Sequence, residues 1–181
     1  MYSVSKVKPM DIDSLDPEIL NGLGRLYCDI WREPPWNEEN WTIEGVIEDF
    51  KREMCRDFAR AYIVRQNGDI TGFAWGYGVT PSIMREISGH DQLDNQFEVG
   101  KVFYIDEWGV AKTERGQGIG RELFERFIAF GKRRDFSVII LRTNKKADRA
   151  KNVCRRLGFV ELNVTDSQFD DRVYWALNLN K

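Results

Sequence analysis

A strand that leads through a glycine-rich turn into a helix is the feature that most constrains this chain. Val102–Val110 is a β-branched and aromatic run, which predicts a strand that breaks at Gly109. Arg115–Gly120 follows as RGQGIG, and the apolar spacing after it predicts a helix over Gly120–Arg134. The first N–H groups of a helix lack intrahelical partners, and glycines let an anion approach them closely. The turn therefore predicts a phosphate-binding site.

Two better-known phosphate motifs do not match this turn. Glycines at alternate positions differ from the G-x-G-x-x-G fingerprint of dinucleotide-binding folds, and no Lys-Ser/Thr pair of a P-loop follows. The next predicted strand, Ser137–Arg142, ends without the acidic residue that would hold a ribose. Both nucleotide-binding classes are therefore disfavoured.

Length and charge exclude several kinds of partner. The 181 residues predict one domain over 1–181, and 27 basic against 29 acidic residues give a net charge of −2. No basic stripe favours nucleic acid, and no apolar run or signal-peptide core favours a membrane, so neither partner is expected. Three widely spaced cysteines predict free thiols, no metal site and a cytoplasmic location. The single histidine, His90, excludes mechanisms that need two.

The remaining elements alternate between strand and helix patterns. Helices are predicted to open at Asp16-Pro17, to start near Thr42, and to cover Asp148–Leu157, while Thr80–Gly100 is a long connection with a short helix around Pro81–Ile87. The other predicted strands are Ser3–Lys8, Arg60–Arg65, Ile70–Val79, Ser137–Arg142, Phe159–Val164 and Val173–Leu179. This order predicts an α+β or mixed α/β fold, with a sheet covered by helices.

Arg115-x-x-Gly118-x-Gly120 resembles the Q/R-x-x-G-x-G/A motif of the GNAT superfamily of N-acetyltransferases. Leu157-Gly158-Phe159 is similar to that family's "LGF", and the convincing resemblance covers Val102–Leu162. It implies a mostly antiparallel, twisted sheet of about six to seven strands flanked by about four helices. It also implies an N-acetyltransferase that uses acetyl-coenzyme A, and a possible homodimer.

The resemblance also implies which residues contact the coenzyme. The motif residues would surround its pyrophosphate: Arg115, Gly116, Gln117, Gly118, Ile119 and Gly120. The backbone of Trp108, Gly109 and Val110 would pair with the pantetheine arm, although Gly109 also fits a simple β-bulge. Ala147 stands where the family often has an asparagine, so Asn144 is the nearest replacement, and Lys151 is expected either at the phosphates or on a solvated helix face. Cys154 stands where many members carry a proton-donating tyrosine, and either contacts the cofactor as a donor or is a small packed residue.

Acetyl transfer needs a base that makes the attacking amine neutral. Two adjacent carboxylates, Asp106 and Glu107, lie in the predicted central strand just before Gly109. Successive strand residues point to opposite faces, so only one of them reaches the amine in a regular strand. Asp106 is preferred because it shares the parity of Trp108 and Val110, and an ion pair with a helix cation is the alternative for either residue.

The acceptor pocket is expected, from the resemblance, in the segment between the first two helices. Trp31, Glu33 and Trp36 in that segment, with Trp75 and Tyr77 on the facing strand, would bind a cationic amine by charge and cation–π contact. The tryptophans also fit a role in bracing the Pro34-Pro35 corner. A polyamine-like or aminoglycoside-like small molecule is the expected acceptor. A protein or peptide amine, and a non-catalytic acyl-coenzyme A-binding module, remain the alternatives.

Overall fold

The computed structural model describes residues 1–89, 101–164 and 166–180, apart from the side chain of Met10. Its strands are β1 (Ser3–Val7), β2 (Arg60–Gln66), β3 (Asp69–Val79), β4 (Val102–Val110), β5 (Val138–Asn144), β6 (Val160–Glu161) and β7 (Arg172–Asn178). Its α-helices are α1 (Pro17–Arg32), α2 (Ile43–Met54), α3 (Pro81–Ser88), α4 (Ile119–Arg133) and α5 (Asp148–Arg156). Within the described residues, 3₁₀ helices cover Pro9–Ser14 and Lys112–Glu114.

The strands form a seven-stranded sheet in the order β1-β2-β3-β4-β5-β7-β6. The pairs β1–β2, β2–β3, β5–β7 and β6–β7 are antiparallel, whereas β4 and β5 are parallel. The predicted class, a mixed α and β fold around a mostly antiparallel sheet, is confirmed. Within the described ranges, no helix combines the length and the apolar character needed to cross a membrane.

The chain divides into two compact units, which are described separately. The first unit is Met1–Tyr77 with Asp106–Leu123, and the second is Gly78–Ile105 with Phe124–Lys181. The single domain expected from chain length stays a prediction.

In the first unit, local signals set the helix starts as predicted. The Asp16 carboxylate accepts a hydrogen bond from the N–H of Glu18 at the start of α1, and the Thr42 hydroxyl accepts one from the N–H of Gly45 in α2. Asn67 and Gly68 take positive φ angles of 53° and 96°, as a two-residue hairpin turn between β2 and β3 requires.

The second unit is held together by an apolar cluster and a buried network. Phe103 packs its ring against Phe127, Phe130 and Phe136 at centroid distances of 5.4 Å each. β5 is buried along most of its length, as its continuous apolar run predicts. Its C-terminal half also carries Arg142, whose guanidinium donates to the Asp166 carboxylate at 3.0 Å.

Two strand predictions need correction. β6 covers only Val160–Glu161 instead of Phe159–Val164; both of its residues are exposed at the sheet edge, whereas Phe159 is buried against the ring of Phe124. β4 does not break at Gly109 but continues to Val110. Glycine is needed at that position for packing, because a Cβ there would lie 2.5 Å from the Cδ1 of Ile30 and 2.9 Å from the Cζ of Phe73.

The parallel ladder between β4 and β5 is shorter than either strand. It covers Val102–Ile105 against Val138–Leu141, while β4 runs on to Val110 and β5 to Asn144. The pairing of β4 with β5 therefore ends after Ile105, four residues before Gly109. Of the long connection Thr80–Gly100, the predicted short helix is present as α3, and residues 90–100, which include His90, lie outside the described residues.

Candidate active site

The glycine-rich turn has the backbone conformation that its sequence predicts. Gly116 and Gly118 take φ angles of +88° and +86°, and a Cβ built on either would meet no atom within 4 Å. α4 begins directly after the turn, at Ile119, whose side chain is buried. Its buried side chain fixes the helix start, so Ile119 can serve a ligand only through its backbone. An open concave backbone at a helix N-terminus is an arrangement that binds phosphate.

Gly120 and Gln117 complete the surroundings of the turn. A Cβ on Gly120 would lie 3.4 Å from the Cζ3 of Trp108, so the helix start lies against the indole of Trp108. The side-chain amide of Gln117 donates to the Glu114 carboxylate at 2.8 Å. This hydrogen bond ties the turn to the preceding 3₁₀ helix.

The structure brings together two residues that the sequence assigned to different ligands. The guanidinium of Arg115 donates to both carboxylate oxygens of Glu33, at 2.6 and 3.0 Å. Its Nε donates to the carbonyl of Val110 at 3.0 Å. Arg115 therefore joins the end of β4 to the end of α1 by a bidentate ion pair, the geometry in which arginine binds carboxylates most strongly.

The two carboxylates of β4 have different partners. The hydroxyl of Tyr77 donates to Asp106 at 2.8 Å, and the hydroxyl of Tyr27 donates to Glu107 at 3.1 Å. Burial, followed by the charge of Glu107, raises the pKa of Tyr27, so this hydroxyl remains a donor at physiological pH. Asp106 and Glu107 are therefore each hydrogen-bonded to a tyrosine.

Glu53 joins this cluster, and the sequence interpretation missed it. It lies in the last turn of α2, its carboxyl group is hydrogen-bonded to Asp106, and the indole Nε1 of Trp75 donates to it at 2.5 Å. Burial and the neighbouring charge of Asp106 raise the pKa of Glu53 to about 9, so the group is protonated at neutral pH. The signal was present in the helix pattern, since Glu53 follows the buried Phe50 by three positions on the apolar side of α2.

Two of the aromatic residues predicted at the acceptor pocket, Trp31 and Trp36, form a stack with Tyr27. The Trp31 ring lies parallel to that of Tyr27 at 4.1 Å and to that of Trp36 at 5.7 Å. Trp31 is buried and Trp36 half-buried, which agrees with the bracing role for Trp31. Trp75 and Tyr77 are each 2% exposed, and their polar atoms point to Glu53 and Asp106.

The sequence matches the model of the acetyltransferase (GNAT) family over residues 23–159, most of the chain. The chain belongs to the GNAT acetyltransferase family. No curated protein matches the sequence.

Solved structures agree with this assignment at the level of the fold. PH1933 from Pyrococcus horikoshii OT3 has a TM-score of 0.71 and 19% identity, with 98% of each chain covered. Arabidopsis thaliana NAA60 in complex with acetyl-CoA has a TM-score of 0.64 and 14% identity over the whole of both chains. The ribosomal-protein-S18-alanine N-acetyltransferase of Escherichia coli has a TM-score of 0.60 and 16% identity, with 99% of this chain and 94% of that chain covered. The predicted family, fold, enzyme class and cofactor are confirmed.

In the second unit of this GNAT chain, the predicted coenzyme contacts have structural partners. The Asn144 amide donates to Asp171 at 2.5 Å and accepts from the N–H of Lys146 at 2.8 Å, so it fixes the turn after β5. The ammonium of Lys151 donates to the carbonyl of Lys145 and lies 3.0 Å from Asp148.

Cys154, which stands where many GNAT enzymes carry a tyrosine, lies in the second unit. Its side chain is fully buried, and burial raises the pKa of the thiol to about 12. A buried thiol with this pKa does not give up its proton at neutral pH. The burial of Cys154 agrees with the packed alternative, and its expected contact with the cofactor stays a prediction. All three cysteines are free, as predicted.

Proposed function

We propose that this GNAT acetyltransferase transfers the acetyl group of acetyl-coenzyme A to a primary amine of a cationic small molecule. Donor binding is supported above all by one observation, the left-handed backbone at Gly116 and Gly118 at the start of α4. The open side of this turn leaves room for a diphosphate against the first N–H groups of the helix. The bound donor supplies an activated acetyl thioester.

The chain's own residues provide the acceptor chemistry in the first unit. Asp106 takes the proton of the arriving ammonium, because a neutral nitrogen is needed for attack on the thioester carbon. Tyr77 orients the Asp106 carboxylate by its hydrogen bond, and Trp108–Val110 follow Asp106 on the same strand as backbone partners of the donor's acyl arm. Glu107 adds a second negative charge, held by Tyr27.

The acidic character of the cluster supports a cationic acceptor. Asp106 lies in a hydrogen-bonded group with Glu53, Tyr77 and Trp75, and Glu107, the next residue of β4, is hydrogen-bonded to Tyr27. Such a region favours an ammonium group and disfavours an anionic acceptor. Glu33 is paired with Arg115 in this conformation, so the preference for a cationic acceptor depends on the carboxyl groups of Asp106 and Glu107.

A second candidate function is transfer to the amino group of a protein or peptide. It is favoured by the fold similarity to the S18-alanine N-acetyltransferase of E. coli. The same carboxyl groups can receive a lysine or an N-terminal amine, so the chemistry of the base is common to both candidates.

The deciding experiment compares acceptors directly. The protein is incubated with acetyl-coenzyme A and either polyamines, aminoglycosides or a mixed peptide library, while thiol release is followed with a colorimetric reagent. Mass spectrometry then identifies products that gain 42 Da. Small-molecule products support the proposal, peptide products support the second candidate, and the absence of thiol release with every amine rejects both in favour of a non-catalytic binding module.

A further inference from the structure

Two carboxyl groups from different elements meet in the first unit of the chain. Glu53 comes from the last turn of α2 and Asp106 from the middle of β4, and their side chains hydrogen-bond to each other. A hydrogen bond between two carboxyl groups requires a proton on one of them. The contact therefore describes a pair that holds one proton and carries one negative charge.

The surrounding groups hold this pair in a defined arrangement. The indole of Trp75 donates to the Glu53 side and the hydroxyl of Tyr77 donates to the Asp106 side, so each carboxyl group has one neutral donor from β3. Among the described residues, further charged groups near the pair include Asp49 on α2, Glu107 next to Asp106 on β4, and Arg56, whose guanidinium lies 4.6 Å from the centroid of the Tyr77 ring. Both donors are neutral, and Asp49 adds a further negative charge.

We propose that Glu53 is the positioning partner of Asp106, and that the pair, not Asp106 alone, accepts the proton of the acceptor amine. This inference rests on the proposed function. The pair first releases its proton to solvent, and the ammonium then binds beside the doubly ionised pair and gives one proton to it, leaving a neutral amine and a singly protonated pair. When the amine nitrogen bonds to the acetyl carbon, the carbon–sulfur bond breaks and the nitrogen's second proton leaves with the thiol. The proton on the pair returns to solvent.

The carboxyl pair has a pKa closer to that of an alkyl ammonium than a single aspartate has. An ordinary aspartate has a pKa near 4 and an alkyl ammonium near 10, so the transfer is uphill by about six pKa units. The second ionisation of the pair, with the pKa of Glu53 near 9, lies within about one to two units of the amine. An efficient general base has a pKa close to that of the group that it deprotonates.

The first test needs no substrate. Carbon-13 NMR of side-chain carboxyl groups is recorded from pH 4 to 10 in the wild-type chain and in the variants E53Q, D106N and E48Q. We expect one carboxyl carbon to titrate near pH 9, to disappear in E53Q, and to titrate at least one unit lower in D106N. Glu48, an exposed glutamate on the same helix, is the matched control and leaves the alkaline titration unchanged. A wild-type chain without a carboxyl group titrating above pH 6 overturns the inference.

The second test measures kcat/KM against pH with an acceptor identified by thiol release. We expect kcat/KM of the wild type to rise toward pH 9. In E53Q we expect this rise to occur several pH units lower, and the maximum of kcat/KM to be 10- to 100-fold smaller. If Glu53 has only a structural role, E53Q lowers kcat/KM without shifting the pH at which it rises, and this result also overturns the inference. Failure of the proposed function gives a different result. In that case a carboxyl group still titrates at alkaline pH, but no amine is acetylated, and the pair has no catalytic role.

Discussion

At the scale of single residues, the glycines of the turn carry the most direct prediction about the donor. Gly118→Glu places a side chain and a negative charge on the open side of the turn, where a Cβ meets no other atom. We expect binding of coenzyme A to fall below detection in calorimetry, because the added carboxylate conflicts with the diphosphate.

A matched control separates this effect from backbone strain. Gly68 in the β2–β3 hairpin also has a positive φ, of +96°, and equally open surroundings. Gly68→Glu therefore introduces a similar strain away from the turn, and coenzyme A should bind to it as tightly as to the wild type. Equal affinities of the two variants would count against the donor site.

The two adjacent carboxylates of β4 should not contribute equally to the rate. Asp106→Asn removes one half of the carboxyl pair, whereas Glu107→Gln changes a group held by the buried Tyr27. We expect both substitutions to lower kcat/KM and to change its dependence on pH, and D106N to have the larger effect because it removes one half of the carboxyl pair. A pH–rate profile unchanged by either substitution would contradict the assignment of a base to this strand.

At the scale of elements, local signals were enough to predict most boundaries, but packing between elements was not. Asp16 and Thr42 mark helix starts because an N-cap hydrogen bond involves only neighbouring residues. The contact of Glu53 with Asp106 joins positions 53 residues apart, and neither residue's neighbours predict it. The role of Gly109 was misjudged for the same reason, since the atoms that require a glycine there belong to α1 and β3.

This packing at Gly109 can be tested through stability. A methyl group at this position would lie 2.5 Å from the Cδ1 of Ile30, so Gly109→Ala should destabilise the fold by about 1–3 kcal/mol. Ile30→Val deletes that carbon, and the double variant should recover part of the loss although Phe73 still crowds the site. Chemical denaturation of the two single variants and the double variant measures the coupling; additive losses would show that the contact with Ile30 is not the cause.

At the scale of the whole molecule, two acidic groups should dominate the dependence of stability on pH, in opposite directions. Asp166 in the second unit accepts hydrogen bonds from Tyr174, Arg142 and two backbone N–H groups. Burial alone would raise the pKa of Asp166, but these donors lower it below its ordinary value of 3.8. The stability that this carboxylate contributes is present above pH 3.8 and is lost as the pH falls through the lowered value.

Asp166→Asn should therefore destabilise the chain at neutral pH and flatten its acid denaturation. The loss at pH 7 should be about 3 kcal/mol, because the guanidinium of Arg142 is left without its ionic partner. Urea denaturation at pH 7 and pH 3 measures both effects. Asp170, an exposed aspartate in the same loop, provides the control variant Asp170→Asn, which should behave as the wild type.

Glu53 changes the stability at higher pH than Asp166 does, and its effect on stability has the opposite sign. Its pKa is raised from 4.5 to about 9, so the folded chain keeps a proton that the unfolded chain releases above pH 4.5. The free energy of unfolding should fall as pH rises between these values, by up to about 1.4 kcal/mol per pH unit. In E53Q no carboxyl group has to be kept protonated, so its unfolding free energy should stay level over the same interval and exceed that of the wild type near pH 9. Denaturation curves collected at pH 5, 7 and 9 compare the two slopes, and parallel slopes would mean that Glu53 is already ionised in the folded chain.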